Sequence, residues 1–400
     1  MSNVDSQKIE EILSRGVERI IDKDRLTERL LKGDKLRIKF GIDPTSSNLH
    51  LGHLIILKKL SQLQKLGHQI IFLIGDFTAK IGDPSGRSET RKILTDAEVK
   101  QNMKDYIEQA DKILDIKKTE IRYNSEWYDK KDAAFFMEIS MRFTVARLLE
   151  REDFKKRFAE NSDITLLEII YPLLQGYDSL VLKSDLEIGG SDQEFNLFFG
   201  RKVQKKYGQI EQDIMTISLL EGTDGIHKMS KSYGNAINLT DEPNDMYGKI
   251  MSIPDKILWR YFTLLTDVPL SEIDDLKQQV QENDLNPRDI KIRLAKEIIT
   301  GLYNQQEAKK SGEEFNRVFS QKEKPTDMPE VKIKDKKLPV LDLLMQVKIV
   351  SSKSEAQRLI EQKGIKVNDK IIEDWREIIE IENNMIIQAG KRRFVRVIVD

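Results

Sequence analysis

The sequence predicts an α/β protein whose first half contains a parallel sheet, and three neighbouring patterns predict it. Residues 36–40 alternate apolar with basic side chains, which is typical of a strand. Residues 51–66 carry apolar side chains at the spacing of a helix that buries one face. Residues 70–75 are apolar on both faces, as a central parallel strand requires. A strand, a helix and a strand in this order form a βαβ unit.

The remaining elements of the sheet follow from local signals. Residues 41–45, Gly-Ile-Asp-Pro-Thr, end the first strand, and Gly67 stands where a helix stop is expected. Later strands are predicted at residues 186–188, just before two glycines, and at residues 214–220. Residues from about 84 to 170 are expected to form mainly helices, inserted between the halves of the sheet. Such a sheet is Rossmann-like and binds ligands at the carboxyl ends of its strands.

The length of 400 residues exceeds what one hydrophobic core usually organises, so several domains are expected. The patterns predict four segments: a Rossmann-like domain over 1–240, an all-helical domain over 241–325, a charged linker over 326–337 and a small α/β domain over 338–400. In the last segment, Ser352 and Glu355 fit a capping box. The helix that they begin is expected to run to Lys363, with Gly364 as its stop. Short strands are predicted at 365–367, 370–372 and 394–399.

The composition excludes several kinds of protein. Lys and Arg number 66 against 67 Asp and Glu, so RNA contacts would have to come from local patches and not from overall basicity. Cysteine is absent, which excludes disulfides, thiolate metal sites and cysteine nucleophiles. The first residues lack the apolar core of a signal peptide, and no stretch reaches the roughly 20 apolar residues of a membrane span. A cytoplasmic location without membrane contact is therefore expected.

A histidine motif, His50-Leu51-Gly52-His53, falls at the junction between the first strand and its helix. A helix start favours anions, and neutral imidazoles can donate hydrogen bonds to them. The glycine would let a phosphate or an adenine approach the backbone. Taken alone, the pattern also fits two surface histidines at a helix N-terminus.

A lysine motif, Lys-Met-Ser-Lys-Ser, occupies residues 228–232 between glycines at 225 and 234. Two lysines three apart with a small hydroxyl between them suit a loop that closes over a triphosphate. Taken alone, the pattern equally fits a solvated basic loop. The two motifs in this order predict a site for ATP, in which imidazoles and ammonium groups stabilise the charge on the α-phosphate and on the departing pyrophosphate.

With these motifs the chain resembles the class I aminoacyl-tRNA synthetases, whose signatures are a histidine motif and a lysine motif on the two halves of a Rossmann-like fold. More narrowly, it is similar to the bacterial tyrosyl-tRNA synthetases. The resemblance covers nearly the whole chain. It is carried by four further strings: residues 41–45, Ile-Gly-Asp-Pro-Ser-Gly at 81–86, Tyr-Pro-Leu-Leu-Gln-Gly-Tyr-Asp at 171–178 and Gly-Gly-Ser-Asp-Gln at 189–193.

The resemblance implies a role for each matching residue. The residues implied in catalysis, at the phosphates and at pyrophosphate, are Thr45, His50, His53, Lys228 and Lys231. Those implied elsewhere around ATP are Gly52, Gly190, Asp192, Ser230 and Ser232, with the aspartate at the ribose. Those implied around tyrosine are Gly41, Asp83, Tyr171, Gln175, Asp178 and Gln193.

Three of the implied tyrosine residues share one face of a predicted helix. Tyr171, Gln175 and Asp178 are spaced four and three apart, and a polar stripe of this kind more often faces solvent. Apolar residues on both sides favour a pocket instead. A zwitterion needs acceptors for its ammonium, and a phenol in an apolar slot needs a hydrogen-bond partner. The resemblance assigns Asp83, Tyr171 and Gln175 to the ammonium, Gln193 to the carboxylate and Asp178 to the phenol.

Two positions depart from many members of the family. Lys39 stands five residues before the proline of the Asp-Pro-Thr string, where many members have a tyrosine that also contacts the phenol. A lysine here could pair with Asp178 or point away. Phe40 replaces a smaller residue that contacts the ribose in some relatives. Recognition of the phenol and of the ribose therefore remains open at this stage.

RNA contacts are expected from two segments. The terminal domain resembles a small RNA-binding domain named after a ribosomal small-subunit protein, and its basic candidates are Lys353, Arg358, Lys363 and Lys366; a charged, solvated face is the alternative. The helical insertion could meet the acceptor arm of a tRNA through Arg142, Arg147, Arg151, Lys155, Lys156 and Arg157. By resemblance, helices from about residue 241 would bind the anticodon arm.

The leading hypothesis is a tyrosine-tRNA ligase that forms tyrosyl-adenylate from ATP and L-tyrosine and then loads the 3′-terminal adenosine of its tRNA. ATP with Mg²⁺ is expected as substrate, without a protein-bound metal or organic cofactor, and a homodimer is expected by resemblance. Tryptophanyl-tRNA synthetase is the nearest alternative, because Asp178 could also accept an indole N–H. A small nucleotidyltransferase and an RNA-binding regulator are more distant alternatives.

Overall fold

The computed structural model describes residues 5–81, 95–320, 328–390 and 393–399. The chain forms two compact units, Met1–Ala308 and Lys309–Asp400. The helices that follow residue 241 lie in the same unit as the sheet as far as Ala308.

The first unit contains a six-stranded sheet. Its strands are β1 (Val17–Ile21), β2 (Arg37–Ile42), β3 (Gln69–Ile74), β4 (Glu120–Tyr123), β5 (Leu186–Gly190) and β6 (Asp213–Ile217). They lie in the order β1-β6-β5-β2-β3-β4. From β6 through β5, β2 and β3 to β4, each strand is parallel to the next, whereas β1 is antiparallel to β6. The prediction of a Rossmann-like parallel sheet is confirmed.

The helices of this unit surround the sheet and continue beyond it. The first ten are α1 (Ser6–Ser14), α2 (Lys23–Lys32), α3 (Leu51–Lys65), α4 (Asp96–Ala110), α5 (Ser125–Tyr128), α6 (Ala133–Met141), α7 (Val145–Leu148), α8 (Glu152–Ala159), α9 (Leu166–Leu182) and α10 (Glu194–Lys206). The next five are α11 (Pro243–Met251), α12 (Asp255–Leu265), α13 (Leu270–Gln281), α14 (Pro287–Leu302) and α15 (Gln305–Phe315), of which α15 crosses into the second unit. No strand is found between residue 241 and residue 320, as the sequence predicted.

The predicted βαβ unit is formed by β2, α3 and β3. The two strands pair in register from Arg37 opposite Gln69 to Ile42 opposite Ile74, and Ile70 to Ile74 are all buried. On its other side β2 pairs with β5. The chain passes from β2 to β3 and from β5 to β6, so the connections that follow these two neighbouring strands lead in opposite directions across the sheet. Between such connections a crevice opens at the carboxyl end of the strand.

Strands β1 and β4 were not predicted, because each carries charged side chains on a half-buried edge. Strand β4, Glu-Ile-Arg-Tyr, lies within the segment expected to be helical, and every residue in it is half-buried. An edge strand is paired on one side only, so it lacks the apolar run by which β3 was recognised. The described part of the insertion, from residue 95 onward, is otherwise mainly helical, as predicted.

Helices α9 and α10 pack closely at a glycine. A Cβ at Gly176 would lie 2.7 Å from Cγ2 of Val203 and 2.9 Å from the carbonyl oxygen of Phe199. Helix α9 begins with a capping box formed by Thr165 and Glu168. Because α9 carries Tyr171, Gln175 and Asp178 on one face, its distance from α10 affects where these side chains lie.

Two lysines on α3 connect it to the ends of other helices of this unit. Lys58 Nζ donates to the carbonyl oxygen of Leu265 at 3.0 Å, at the end of α12. Lys59 Nζ donates to the carbonyl oxygens of Ile12 and Arg15 (2.5 and 3.0 Å), at the end of α1, and burial lowers its pKa to about 8. Ammonium groups satisfy the carbonyls that helix ends leave unpaired. Lys58 thus ties α12 to α3, and Lys59 ties α1 to it.

The second unit contains a small α/β arrangement. Its elements are β7 (Glu330–Ile333), β8 (Lys337–Pro339), α16 (Val340–Gln346), α17 (Lys353–Glu361), β9 (Ile365–Val367), β10 (Lys370–Ile371), β11 (Ile378–Glu380), β12 (Met385–Ala389) and β13 (Arg393–Val399). Five strands form a sheet in the order β10-β9-β12-β13-β7, and β11 pairs with β8. The predicted helix and the three predicted strands are present.

Two local expectations for this unit were wrong. The segment expected as a linker, 326–337, contains β7, which pairs in parallel with β13 and buries Ile333. Its apolar residues are separated by charged ones, which resembles a solvated linker in the sequence. The left-handed residue after α17 is Lys363 (φ 56°), whereas the expected stop, Gly364, has no positive φ.

None of the helices in the described part of the chain is long and apolar enough to cross a membrane.

The close packing of α9 on α10 predicts opposite effects at two glycines. Gly176→Ala places a methyl group against backbone and should lower the free energy of unfolding by about 1–3 kcal/mol. The matched control is Gly301→Ala on α14, where nothing lies within 4 Å of the new Cβ; it should raise stability by about 0.5–1 kcal/mol. Urea unfolding midpoints measure both, and equal shifts in the same direction would contradict the packing.

Candidate active site

A cavity of about 430 Å³ opens at the carboxyl ends of the central strands, and both sequence motifs line it. The predicted residues that line it are Gly41, Thr45, His50, Gly52, His53, Tyr171, Gln175, Asp178, Gly190, Asp192, Gln193, Lys228, Ser230, Lys231 and Ser232. Imidazoles and ammonium groups from opposite halves of the sheet therefore face one space, as the pairing of the motifs predicted.

The other predicted residues lie elsewhere. Asp83 lies outside the described residues. The four basic candidates for RNA contact belong to the second unit, where Lys353 pairs with Asp342 at 2.6 Å and Lys363 with Glu373 at 2.9 Å. Arg358 is exposed and Lys366 is half-buried.

His50 and His53 close the start of α3 through their own rings. Nδ1 of His50 accepts from the amide of Gly52 at 3.2 Å, and Nδ1 of His53 accepts from the amide of His50 at 3.1 Å. A ring nitrogen that accepts carries no proton, so each neutral ring bears its proton on Nε2. A Cβ at position 52 would lie 3.0 Å from the His50 ring, so the glycine also makes room for that imidazole.

Both imidazoles are held in the neutral state. Burial lowers the pKa of His50 well below its usual value, and the positive charges that His53 and Lys228 can carry lower it further. Burial also lowers the pKa of His53, to about 4, although nearby Asp192 opposes this shift. At neutral pH each ring therefore offers an uncharged Nε2–H donor.

The lysine motif forms a loop that is anchored at its base. Asn235 is buried; its Oδ1 accepts from the amide of Ser230 at 2.9 Å, and its Nδ2 donates to the carbonyl of Lys228 at 3.3 Å. A Cβ at Gly222 would collide with the Asn235 side chain at 2.1 Å. Lys231 is exposed in a short 3₁₀ turn, Lys231–Tyr233, at the rim of the cavity.

Lys228 and Asp192 connect the two halves of the site. Lys228 Nζ lies 2.8 Å from Oδ2 of Asp192, the residue assigned to the ribose by resemblance. A Cβ at Gly190 would lie 2.6 Å from Oδ1 of Asp192, and one at Gly189 would lie 3.0 Å from Oε1 of Gln193. The double glycine therefore leaves space for the two polar side chains that follow it.

Asp43 is a residue of the site to which the sequence analysis gave no role. Its Oδ2 accepts from the hydroxyl of Tyr171 at 2.9 Å, and its Oδ1 accepts from the hydroxyl of Thr78 at 2.8 Å. A Cβ at Gly75 would lie 2.1 Å from Oδ1 of Asp43. The sequence feature that could have identified Asp43 was its place in the Asp-Pro-Thr string at the end of β2. Asp43 fixes the Tyr171 hydroxyl at the cavity wall.

Asp178 lies buried on the same wall, and its carboxylate accepts hydrogen bonds from neighbouring side chains. The indole Nε1–H of Trp127 donates to Oδ1 at 3.0 Å, and Nδ2 of Asn124 lies 3.4 Å from Oδ2. Burial raises the pKa of Asp178 to about 7. The positive charge of Lys39 and hydrogen bonds, including those from Tyr128 and Trp127, act in the opposite direction and lower this pKa, but burial has the larger effect. Trp127 and Asn124 follow the unpredicted strand β4, so sequence reasoning missed both.

Lys39 pairs with Glu187 and not with Asp178. Its Nζ lies 2.9 Å from Oε1 of Glu187, 2.9 Å from Oγ of Ser179 and 3.0 Å from the carbonyl oxygen of Gln175. An ammonium has three protons, and these three acceptors use all of them. Lys39 therefore has no donor left for a phenol. Phe40, the other departure, is buried and lines the cavity.

Two family models cover most of the chain. Residues 31–320 match the model described as tRNA synthetases class I (W and Y). Residues 320–397 match the Tyrosine--tRNA ligase SYY-like C-terminal domain. The chain is 48% identical over 386 residues to the Tyrosine--tRNA ligase of Thermotoga maritima, covering 96% of each chain, and 46% identical over 387 residues to that of Aquifex aeolicus, covering 97% of each.

The chain belongs to the tyrosine--tRNA ligases, a family of class I tRNA synthetases. Solved structures agree on the fold. The chain is similar to a tyrosyl-tRNA synthetase from Archaeoglobus fulgidus complexed with L-tyrosine, with a TM-score of 0.62 and 23% identity, over 77% of this chain and 100% of that one. It is also similar to a C-terminally truncated mitochondrial tyrosyl-tRNA synthetase from Aspergillus nidulans, with a TM-score of 0.64 and 23% identity, over 78% and 94%.

The raised pKa of Asp178 predicts a pH dependence of tyrosine binding. A phenol O–H donates to an ionised carboxylate, and below about pH 7 Asp178 in the free protein is increasingly protonated. The affinity for tyrosine should therefore fall about tenfold per pH unit below that value. Calorimetric titrations between pH 5.5 and 8.5 measure it.

The control for this dependence is Asp178→Asn, which cannot titrate and should bind tyrosine weakly at every pH. The histidines in the cavity do not interfere, because the pKa of His50 is lowered well below its usual value and that of His53 to about 4. A flat profile in the unmodified protein would contradict the assignment of Asp178 to the phenol.

Proposed function

We propose that this chain activates L-tyrosine with ATP in the described cavity and then transfers the tyrosyl group to the 3′-terminal adenosine of its tRNA. The observation that supports this most is that the histidine motif, the lysine motif and the polar face of α9 line the same cavity. A nucleotide and an amino acid can meet there without a covalent enzyme intermediate.

The amino acid binds at the end of the cavity formed by α9. Its phenol donates to Asp178, whose carboxylate already accepts from Trp127. Its ammonium donates to the hydroxyl oxygen of Tyr171 and to the amide oxygen of Gln175, with Asp83 as the acidic partner that the family resemblance implies. Gln193 lies at the carboxylate, and Gly41 provides a backbone without a side chain next to the ring.

The nucleotide occupies the opposite side. Nε2–H groups of His50 and His53 donate to the α-phosphate, with Thr45 beside them. Asp192 accepts from the ribose, and Gly52 and Gly190 leave room for the nucleoside. The lysine loop holds the β- and γ-phosphates through Lys228, Ser230, Lys231 and Ser232. Lys228 pairs with Asp192 at 2.8 Å, and a move of its ammonium to the phosphates would free that carboxylate for the ribose.

The reaction needs charge stabilisation more than proton transfer. A tyrosine carboxylate oxygen bonds to the α-phosphorus while the bond to the bridging oxygen of the β-phosphate breaks, and its electron pair leaves with pyrophosphate. Neutral imidazole donors and ammonium groups stabilise the negative charge as it moves. Mg²⁺ enters with ATP as the counter-ion of its phosphates.

The absence of cysteine suits a reducing compartment, and we propose a cytoplasmic location.

The tRNA contacts of the proposal rest on the second unit and on the helical insertion. In the part of the second unit that the structure describes, no carboxylate pairs with Arg358 or Lys366, whereas Lys353 and Lys363 each form an ion pair. In the insertion, the expectation for Arg151 and Arg157 was wrong. Both are buried, and Arg157 donates to Glu168 at 2.7 Å, which fixes α8 to the start of α9.

A homodimer is the proposed assembly, and exposed apolar side chains support it. They lie on the four consecutive helices α6 to α9 and are Met137, Met141, Val145, Phe158, Leu166 and Leu167, each more than half exposed. Large apolar groups at this density on a surface are typical of protein interfaces.

Sedimentation equilibrium tests the assembly. We expect twice the chain mass of 46.4 kDa at micromolar concentration, and a shift to the monomer in Met141→Asp and Phe158→Asp, because a buried unpaired carboxylate opposes association. Ile378→Asp in the second unit is the matched control and should leave the mass unchanged. A monomeric unmodified protein would contradict the dimer.

ATP/pyrophosphate exchange, run separately with each amino acid, tests the reaction. Tyrosine should support exchange, whereas tryptophan and phenylalanine should not. Phenylalanine has no hydroxyl, so it would not supply the phenol O–H donor to the buried Asp178. Exchange with tryptophan would favour the tryptophanyl alternative, and no exchange with any amino acid together with RNA binding would favour a regulator.

Variants in the same assay test whether the activity uses this cavity. His53→Ala and Lys231→Ala each remove one preorganised donor and should slow exchange by about 100- to 1,000-fold while the fold survives. Lys205→Ala is the control, because this lysine is exposed and pairs with Glu211 outside the cavity. Near-normal rates in both site variants would contradict the proposed roles.

A further inference from the structure

A fully buried ion pair lies against the amino-acid end of the cavity. Lys39 on β2 and Glu187 on β5 are 0% and 1% exposed, and Nζ lies 2.9 Å from Oε1. Neither residue has a role in the reaction proposed above. Buried ion pairs contribute little to stability, since desolvation offsets their attraction, so stability alone does not explain this one.

Glu187 collects hydrogen bonds from the surrounding elements. Oε2 accepts from the hydroxyl of Ser179 at 2.9 Å and from Nε2 of Gln212, while Oε1 accepts from Nε2 of Gln175 at 3.2 Å. Lys39 in turn donates to Ser179 and to the backbone carbonyl of Gln175. The pair thus contacts both the side chain and the backbone of Gln175.

The contact with Glu187 decides which way the Gln175 amide faces. A carboxylate only accepts, so the amide must present its NH₂ group to Glu187. The opposite atom, Oε1, is then left for the cavity that Gln175 lines, and no donor to it is found among the described residues. An amide oxygen can bind an ammonium, whereas an NH₂ group in its place would repel it.

We propose that Glu187, neutralised by Lys39, is a positioning residue for the substrate ammonium. It fixes the Gln175 amide with its oxygen toward the amino group of the substrate. This inference rests on the proposed binding of tyrosine along α9. Lys39 cancels the charge of Glu187. The substrate ammonium is therefore recognised through the orientation of the Gln175 amide dipole and not through a free negative charge on Glu187.

The test is Glu187→Gln, whose new NH₂ group can donate to Gln175 and reverse its amide. Calorimetry compares three ligands: tyrosine, tyramine, which lacks the carboxylate, and 3-(4-hydroxyphenyl)propionate, which lacks the ammonium. Dissociation constants for tyrosine and tyramine should rise about 10- to 100-fold, the range expected when a hydrogen bond to a charged group is lost. The constant for the propionate should stay within about twofold, because that ligand has no amino group for Gln175 to contact.

Two further variants keep the result interpretable. Lys39→Met with Glu187→Met replaces the pair by apolar groups, which buried pairs often tolerate, and should give the same pattern if the single variant fails to fold. Glu120→Gln on β4, whose carboxylate pairs with Arg37 outside the cavity, is the matched control and should change none of the three constants.

Equal weakening of all three ligands would show a structural role only, and unchanged binding of tyrosine and tyramine would also overturn the inference. Failure of the proposed function gives a different result. In that case the unmodified protein would bind none of the three ligands.

Discussion

The site depends on the parallel pairing of β2 with a different partner on each side. Strand β3 lies on one side and β5 on the other; the chain leaves β2 toward β3 and leaves β5 toward β6, so the two connections lead in opposite directions. This geometry opens a crevice at the carboxyl end of β2. The same strand and the loop after it provide Lys39, Asp43 and His50 within twelve residues, so a single element supplies groups to both ends of the cavity.

Several polar groups around this crevice are oriented by hydrogen bonds within the protein before any ligand binds. Each histidine ring accepts from a backbone amide at the start of α3, which fixes its proton on the opposite nitrogen. The Tyr171 hydroxyl is fixed by Asp43, and Lys228 pairs with Asp192. Donors that are already oriented need little reorganisation when charge develops during a reaction. The lysine loop differs, because in the proposed reaction Lys228 moves from Asp192 to the phosphates.

The sequence predicted the parts of the molecule that follow from local pattern. Apolar runs and glycine stops were sufficient for β2, α3 and β3, and the spacing of Tyr171, Gln175 and Asp178 correctly predicted a face that lines a cavity. Contacts between distant segments were out of reach. Lys39 offered two alternatives, and its actual partner lies 148 positions away on β5. Edge strands β1 and β4 have no apolar run, so Trp127 and Asn124 beside Asp178 were missed as well.

Two carboxylates near the amino-acid pocket show how surroundings separate roles that sequence cannot. Glu187 accepts from Ser179, Gln175 and Gln212 and faces a lysine, so its charge is compensated within the protein. Asp178 has no ammonium partner among the described residues; it accepts from Trp127 at 3.0 Å and from Asn124 at 3.4 Å, and burial raises its pKa to about 7. An incoming phenol adds a further donor to the Asp178 carboxylate, whereas an unsubstituted ring fills the same space without supplying one. The compensated carboxylate therefore suits orientation of protein groups, and the less satisfied one suits discrimination between ligands.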